Sequence, residues 1–146
     1  MEISVEIKND EVEQVIKMAI DTVGEHYEKG KWNHTVASVI LGDSGRLYKG
    51  VNIHSNHGYC AEIIALGAAL TAGERGFRIL ASASSEGKVV PPCGSCRQIL
   101  YEYAGDCCVV VACEDGEISM RTAKELLPDP YVRPNLINQA VRFLRK

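Results

Sequence analysis

Residues 60–112 read CAEIIALGAALTAGERGFRILASASSEGKVVPPCGSCRQILYEYAGDCCVVVA, and the order of signals within this stretch sets the class of the fold. Residues 60–72 are rich in Ala, Leu and Ile, contain no proline and stop at Gly73, so they read as a helix. Residues 77–83 form a short apolar run that reads as a buried strand, and the small and polar residues 84–92 read as a loop. Pro92 introduces a second helix over 93–103. Residues 107–113 are continuously apolar, the pattern of a strand covered on both faces. Two helices thus each follow a loop directly, and each opens on a cysteine: Cys60-Ala61-Glu62 in the first, Pro92-Cys93-Gly94-Ser95-Cys96 in the second.

Outward from this stretch, residues 36–41 and 46–51 read as two strands joined by Gly42-Asp43-Ser44-Gly45, a hairpin signal. A polar loop, 52–59, leads into the first cysteine. Towards the N-terminus, residues 3–8 alternate like a short strand. Asp10 and Glu13 then have capping-box spacing ahead of a helical stripe of Val12, Val15, Ile16, Ala19, Ile20, Val23 and Tyr27, which Gly30 ends. Towards the C-terminus, Thr122 and Glu125 form a second capping box, predicting a short helix that Pro128 stops. Residues 134–146 suit a last amphipathic helix with Leu136, Ala140, Val141 and Leu144 on one side. Strands alternating with helices predict an α/β sandwich with helices on both faces of one mixed sheet. A chain of 146 residues with 46% hydrophobic composition predicts a single domain over residues 1–146, with 132–146 as a C-terminal helical extension.

Composition removes several classes of function. No apolar run approaches the length of a membrane span, and the first ten residues alternate charged with apolar types, so a cytoplasmic protein is expected. A net charge of -3 argues against an electrostatic grip on a nucleic-acid backbone. In a reducing compartment, a Cys-x-x-Cys pair among six cysteines points to metal or redox chemistry before disulfides. Cys107, Cys108 and Cys113 lie in the apolar run and are expected to pack as small hydrophobes.

A helix N-terminus stabilises a thiolate through unsatisfied N–H groups and the positive end of its dipole. Two such ends brought together would make a thiolate pocket of Cys60, Cys93 and Cys96. Three protein ligands leave a zinc position open for water, whereas four close it. Glu62, a carboxylate that is not itself a ligand, would be placed to move protons there. Taken alone, Cys93-x-x-Cys96 also suits a thioredoxin-like redox pair or half of a structural zinc site, for which His57 or Cys113 would have to complete the ligand set. Residues two apart on a helix do not share a face, so Cys60 and Glu62 can reach one site only from the first turn.

Cys-Ala-Glu followed by Pro-Cys-x-x-Cys resembles the zinc signature of the cytidine deaminase superfamily in its three-cysteine form. The likeness extends over residues 36–131 and is closer to blasticidin S deaminases than to ordinary cytidine deaminases, through residues 44–52, 60–67, 92–98, 125–128 and Tyr131. It implies a three-layer α/β/α fold with a five-stranded mixed sheet, one Zn2+ per subunit, a homotetramer with sites near subunit contacts, and hydrolytic release of ammonia from a cytosine nucleoside such as cytidine, deoxycytidine or blasticidin S. The alternatives are a non-catalytic zinc-stabilised binding module and a nucleic-acid editing deaminase. The resemblance makes Glu62 catalytic and Cys60, Cys93 and Cys96 the metal ligands. It places substrate contacts at Asn52, His34, His54, Ala61 and Tyr131. The chain departs from the cytidine branch at His54, where that branch carries a ribose-binding Glu, and at His34, where it carries a base-stacking Phe. Relatives also place arginines on the thiolates at positions that here hold Ile63 and Ser95, which leaves Arg97 as the remaining donor behind the ligands.

Overall fold

The computed structural model describes residues 7–133, in which eight elements follow one another. They are α1 (Asn9–His26), β1 (Val36–Gly42), β2 (Leu47–Val51), α2 (Ala61–Thr71), β3 (Phe77–Ser84), α3 (Gly94–Ala104), β4 (Cys108–Ala112) and β5 (Ile118–Thr122). The strands form one sheet in the order β2-β1-β3-β4-β5. Only β3 and β4 pair in parallel, and α3 supplies the crossover that a parallel pair requires. The remaining pairs are antiparallel, so the sheet is mixed and five-stranded, as expected.

Alternation along the strands divides the core in two. Ala37, Val39, Leu41, Ile79, Ala81 and Ala83 point to the face covered by Val15, Ala19 and Val23 of α1. Ile40, Leu80 and Val109 point to the opposite face, covered by Ala65, Leu66 and Ala69 of α2 and by Leu100 and Ala104 of α3. Both faces are covered, which is why β1 and β3 are apolar almost throughout. No helix among the described residues is long and apolar enough to cross a membrane.

Several boundaries differ from the sequence reading. The cap of α1 is Lys8, whose N–H donates to the Glu11 carboxylate, while Asp10 lies inside the first turn. The helix ends at His26, before the turn that contains Gly30. Residues 1–6 lie outside the described chain, and Ile7 and Lys8 are not in a strand. The fifth strand is instead β5, whose exposed, polar-interrupted sequence gives little apolar signal: Ile118 and Met120 lie on an edge that is half open to solvent. The Thr122–Glu125 capping box forms in full, with each backbone N–H bonded to the other's side chain, yet it closes only a turn before Pro128. The amphipathic segment 134–146 lies outside the described residues.

Two close approaches fix α2 against the sheet. Glu74, just beyond α2, accepts hydrogen bonds from the hydroxyls of Ser44 and Tyr48, which ties the β1–β2 hairpin to the start of β3. Gly50 of β2 lies directly beneath α2, where an added Cβ would come within 2.6 Å of the Ala65 backbone nitrogen and 2.8 Å of Ile64 Cβ. Gly50 pairs with Ser38 of β1, and Ser38 pairs with Ser82 of β3, so a row of small residues lets the first turns of α2 press onto the sheet. Gly50→Ala is expected to cost about 1–3 kcal/mol through overpacking. Gly67→Ala, where a methyl group meets nothing within 4 Å, should instead stabilise α2 by about 0.5–1 kcal/mol. Thermal denaturation of the two variants should move in opposite directions.

Candidate active site

Both Cys60 and Cys93 are N-cap residues with extended backbones, at φ -70°, ψ 150° and φ -69°, ψ 170°. An N-cap side chain projects beyond the helix it precedes, so the spacing rule for residues inside a helix does not apply to Cys60 and Glu62. Cys96 stands at the third helical position of α3, and Glu62 at the second of α2, where side chains lean back towards the helix start. Because α2 and α3 begin on the same face of the sheet, the four side chains meet.

The three sulfur atoms lie within 4.8 Å of one another and form a group that could hold a metal ion. Cys60 Sγ is 3.6 Å from Cys93 Sγ, which is 3.6 Å from Cys96 Sγ, and all three cysteines are free of disulfides. A tetrahedral zinc with Zn–S distances near 2.3 Å places its sulfur ligands about 3.8 Å apart. Donor chemistry and spacing therefore both fit zinc. Among the described residues, neither His57 nor Cys113 joins the group, as a closed four-ligand structural site would need. Cys113 instead sits 3.8 Å from the Ser119 hydroxyl between β4 and β5.

The thiols are unequal. Cys93 lies below its ordinary pKa: burial works against ionisation, but hydrogen bonds from the Cys96 N–H, the neighbouring thiols and the Ser95 N–H outweigh it. Burial pushes the Cys60 thiol up. Burial and then the nearby Glu62 charge push Cys96 much further up. A third thiolate is thus costly until a cation compensates it. Cys107 is also raised, chiefly by burial, and it packs in the core as the apolar run implied, whereas Cys108 is half-buried and Cys113 is exposed, contrary to that expectation.

Glu62 is only 4% exposed. Its Oε1 accepts a hydrogen bond from the Ser82 hydroxyl at 3.0 Å, and its Oε2 lies 3.7 Å from Cys96 Sγ. Ser82 is 2.9 Å from Ser38 on the neighbouring strand. Neither serine stood out in the sequence reading. The signal available was a hydroxyl in each of two otherwise apolar strands, Ala37-Ser38-Val39 and Ala81-Ser82-Ala83.

The other residues singled out from sequence are placed as follows. Ala61, fully buried, is the first residue of α2 between Cys60 and Glu62. Asn52 uses its amide within the protein: Oδ1 accepts from the Val36 N–H and Nδ2 donates to Thr35 Oγ1, joining the end of β2 to the start of β1. His34 directs Nδ1 to the Asn52 carbonyl at 2.8 Å, and because a carbonyl only accepts, that nitrogen carries the proton. Ile53 and Tyr59 exchange backbone hydrogen bonds, which leaves His54 in an exposed small hairpin. The side chain of Tyr131 is exposed and its carbonyl accepts from Gln98. Arg97 departs from the expectation of a donor to the thiolates. Its guanidinium donates to the carbonyls of Pro92 and Leu126, so it braces the loop leading to Cys93 and the turn after β5.

Residues 9–113 match the family described as the cytidine and deoxycytidylate deaminase zinc-binding region. The chain is 31% identical over 131 residues to a blasticidin-S deaminase from Bacillus cereus, covering 82% of this chain and 91% of that one. It is 34% identical over 106 residues to a cytidine deaminase from Sporosarcina psychrophila, covering 69% and 77%. Among solved structures, the cytidine deaminase from Burkholderia pseudomallei superposes with a TM-score of 0.69 at 27% identity, covering 86% of this chain and all of that one. The cytidine deaminase from Mycobacterium tuberculosis gives a TM-score of 0.69 at 25% identity, covering 84% and 98%.

Zinc uptake has to remove the protons that the raised thiols hold, so it should release about two to three protons per ion near neutral pH. Titration calorimetry in buffers of different ionisation enthalpy measures that number. Apparent affinity should fall as the pH is lowered, and Cys96→Ala should weaken binding by at least about 100-fold. Uptake without proton release would place the ion elsewhere.

Proposed function

The chain belongs to the cytidine and deoxycytidylate deaminase family, a family of zinc-dependent hydrolases, and from that premise we propose that it hydrolyses the exocyclic amine of a free cytosine-type nucleoside. Cytidine, deoxycytidine and antibiotic nucleosides such as blasticidin S are the candidate substrates. The observation that carries the reading is the buried Glu62 carboxylate 3.7 Å from one sulfur of a three-thiol group. A carboxylate is stable in such a place only with donors or a cation beside it.

In this reading Cys60, Cys93 and Cys96 hold the zinc. The bound ion supplies Lewis acidity that makes water acidic enough to react near neutral pH. Glu62 accepts a proton from the attacking water and delivers it to the ring nitrogen N3, then carries the second water proton to the departing amine. A C4–O bond forms, the C4–N bond breaks, and the products are the uracil form and ammonia. Once Cys96 is a thiolate it no longer offers a proton to Glu62 Oε2, which frees that oxygen for the transfer. Arg97 holds the Pro92 carbonyl and with it the approach to Cys93, a positioning role through the backbone.

Substrate recognition rests on the loop of residues 52–59 and the segment before β1. Asn52 retains one unassigned amide hydrogen, His34 turns its Nε2 towards the Glu28 carboxylate at 3.9 Å, and exposed His54 replaces a carboxylate with a donor–acceptor ring. These features favour a nucleoside whose sugar is gripped differently from ribose in ordinary cytidine deaminases. Exposed Trp32, Tyr59 and Tyr131 support assembly with further copies of the chain, and a homotetramer would sediment at four times the 16.0 kDa chain mass. A polynucleotide substrate is disfavoured by the net charge of -3 and would show salt-sensitive binding.

Glu62→Gln is expected to retain one zinc per chain and to lose ammonia release by about 10²–10⁴-fold or more, the loss typical of a general acid/base. Assay against a panel of cytidine, deoxycytidine, modified cytosine nucleosides and blasticidin S identifies the substrate on which to measure it. A fully active Glu62→Gln protein would refute the assignment.

A further inference from the structure

Ser38 and Ser82 face each other in register across β1 and β3, on the face of the sheet that α2 covers. They are 0% and 1% exposed, among neighbours that are Ala, Val, Ile and Leu. A hydroxyl in such a place has to find a partner to offset the loss of water. Ser82 Oγ lies 3.0 Å from Glu62 Oε1 and 2.9 Å from Ser38 Oγ, and Ser38 Oγ lies 3.3 Å from the Ala81 carbonyl. One hydroxyl carries one proton and a carboxylate only accepts. Ser82 therefore donates to Glu62, and the single proton of Ser38, which has both the Ser82 oxygen at 2.9 Å and the Ala81 carbonyl at 3.3 Å within reach, goes to Ser82 as the nearer acceptor.

This chain of hydroxyls gives the two carboxylate oxygens different surroundings. Oε1 is anchored to the middle of the sheet, while Oε2 is left facing the cysteines, 3.7 Å from Cys96 Sγ. The anchor itself is held on several sides. Ser82 pairs with β1, and its carbonyl accepts from the Val90 N–H in the loop that returns to Cys93. One residue thus joins the carboxylate, through its side chain, to the backbone that carries the sulfur ligands.

We propose that Ser82, oriented by Ser38, is a positioning residue for the deamination: it pins one oxygen of Glu62 so that the other is presented to the reacting atoms. This inference rests on the reading of Glu62 as the proton carrier. Holding a carboxylate by a charge-assisted bond from a rigid strand fixes its direction in advance of substrate binding. Proton transfer is sensitive to that direction, because it needs the oxygen within hydrogen-bond reach of the proton it takes.

The test uses the zinc-loaded full chain and the best substrate from the panel. Ser82→Ala should lower kcat by about 10- to 100-fold, the scale of a displaced catalytic group, with KM changed less than about threefold and zinc still at one per chain. Ser38→Ala should lower kcat less, and the double variant should be no worse than Ser82→Ala, since Ser38 acts through Ser82. Ser82→Thr, which keeps the hydroxyl, should recover most of the loss. A crystal structure of Ser82→Ala should show the Glu62 carboxylate turned from its place beside the sheet.

A Ser82→Ala protein that melts at a lower temperature but keeps kcat within about twofold would overturn the proposal, leaving the serines as satisfied core polar groups. An unmoved carboxylate, or a loss confined to KM, would overturn it as well. If Ser82→Ala does not fold, Ser38→Ala decides, and an unchanged kcat there is the refuting result. Glu62→Gln run in parallel separates the two levels: an inactive Glu62→Gln with a normal Ser82→Ala removes only the positioning role. An active Glu62→Gln removes the reading beneath it.

Discussion

Three sulfur atoms share one space here because two helices begin at the same place above the sheet. Each helix is preceded by a cysteine in an extended N-cap conformation, so Cys60 and Cys93 reach past their own helices into the gap between them. Much of the surrounding architecture serves that convergence. The parallel β3–β4 pair requires a crossover helix, which brings the start of α3 to the loop end of β3. Gly50 and the paired serines let α2 settle low enough for Glu62 to touch the strands.

The same convergence sets the electrostatics. Helix N–H groups favour thiolates, and Cys93 gains most directly from them. Cys96 lies deeper, against Glu62, and its thiol is strongly disfavoured as an anion. A Cys96 thiolate beside the Glu62 carboxylate, both of them buried, is a costly arrangement for a polypeptide alone. A divalent cation resolves it, since it compensates the thiolates and leaves the carboxylate as a separate, hydrogen-bonded group. Metal binding and protonation are therefore coupled at this point, because the raised thiols have to lose their protons as an ion binds.

How much of this was legible in the sequence depends on the signal each residue sends. Cysteines at two helix starts, with a glutamate in the first turn, carry a local pattern, and the cluster they form agrees with it. The buried strands β1, β3 and β4 were equally plain, because coverage on both faces makes them continuous apolar runs. Edge strand β5 was missed because one side of it meets solvent and its residues need not be apolar. A strand was expected over residues 3–8 instead, of which residues 1–6 lie outside the described chain. Arg97 illustrates another limit: proximity to the cysteines in sequence does not say whether a guanidinium meets sulfur or carbonyl oxygen. Ser38 and Ser82 are 44 residues apart and become partners only through strand register.

The central claim is that the thiol group and Glu62 together make an aminohydrolase of free cytosine nucleosides. Metal-stripped protein reconstituted stepwise with zinc in heavy-oxygen water, with ammonia and product followed together, tests it most directly. The account predicts that turnover of at least one cytosine nucleoside rises in proportion to zinc up to one ion per chain, with one ammonia released and one heavy oxygen incorporated per product. Full zinc occupancy with no ammonia from any cytosine nucleoside would contradict it.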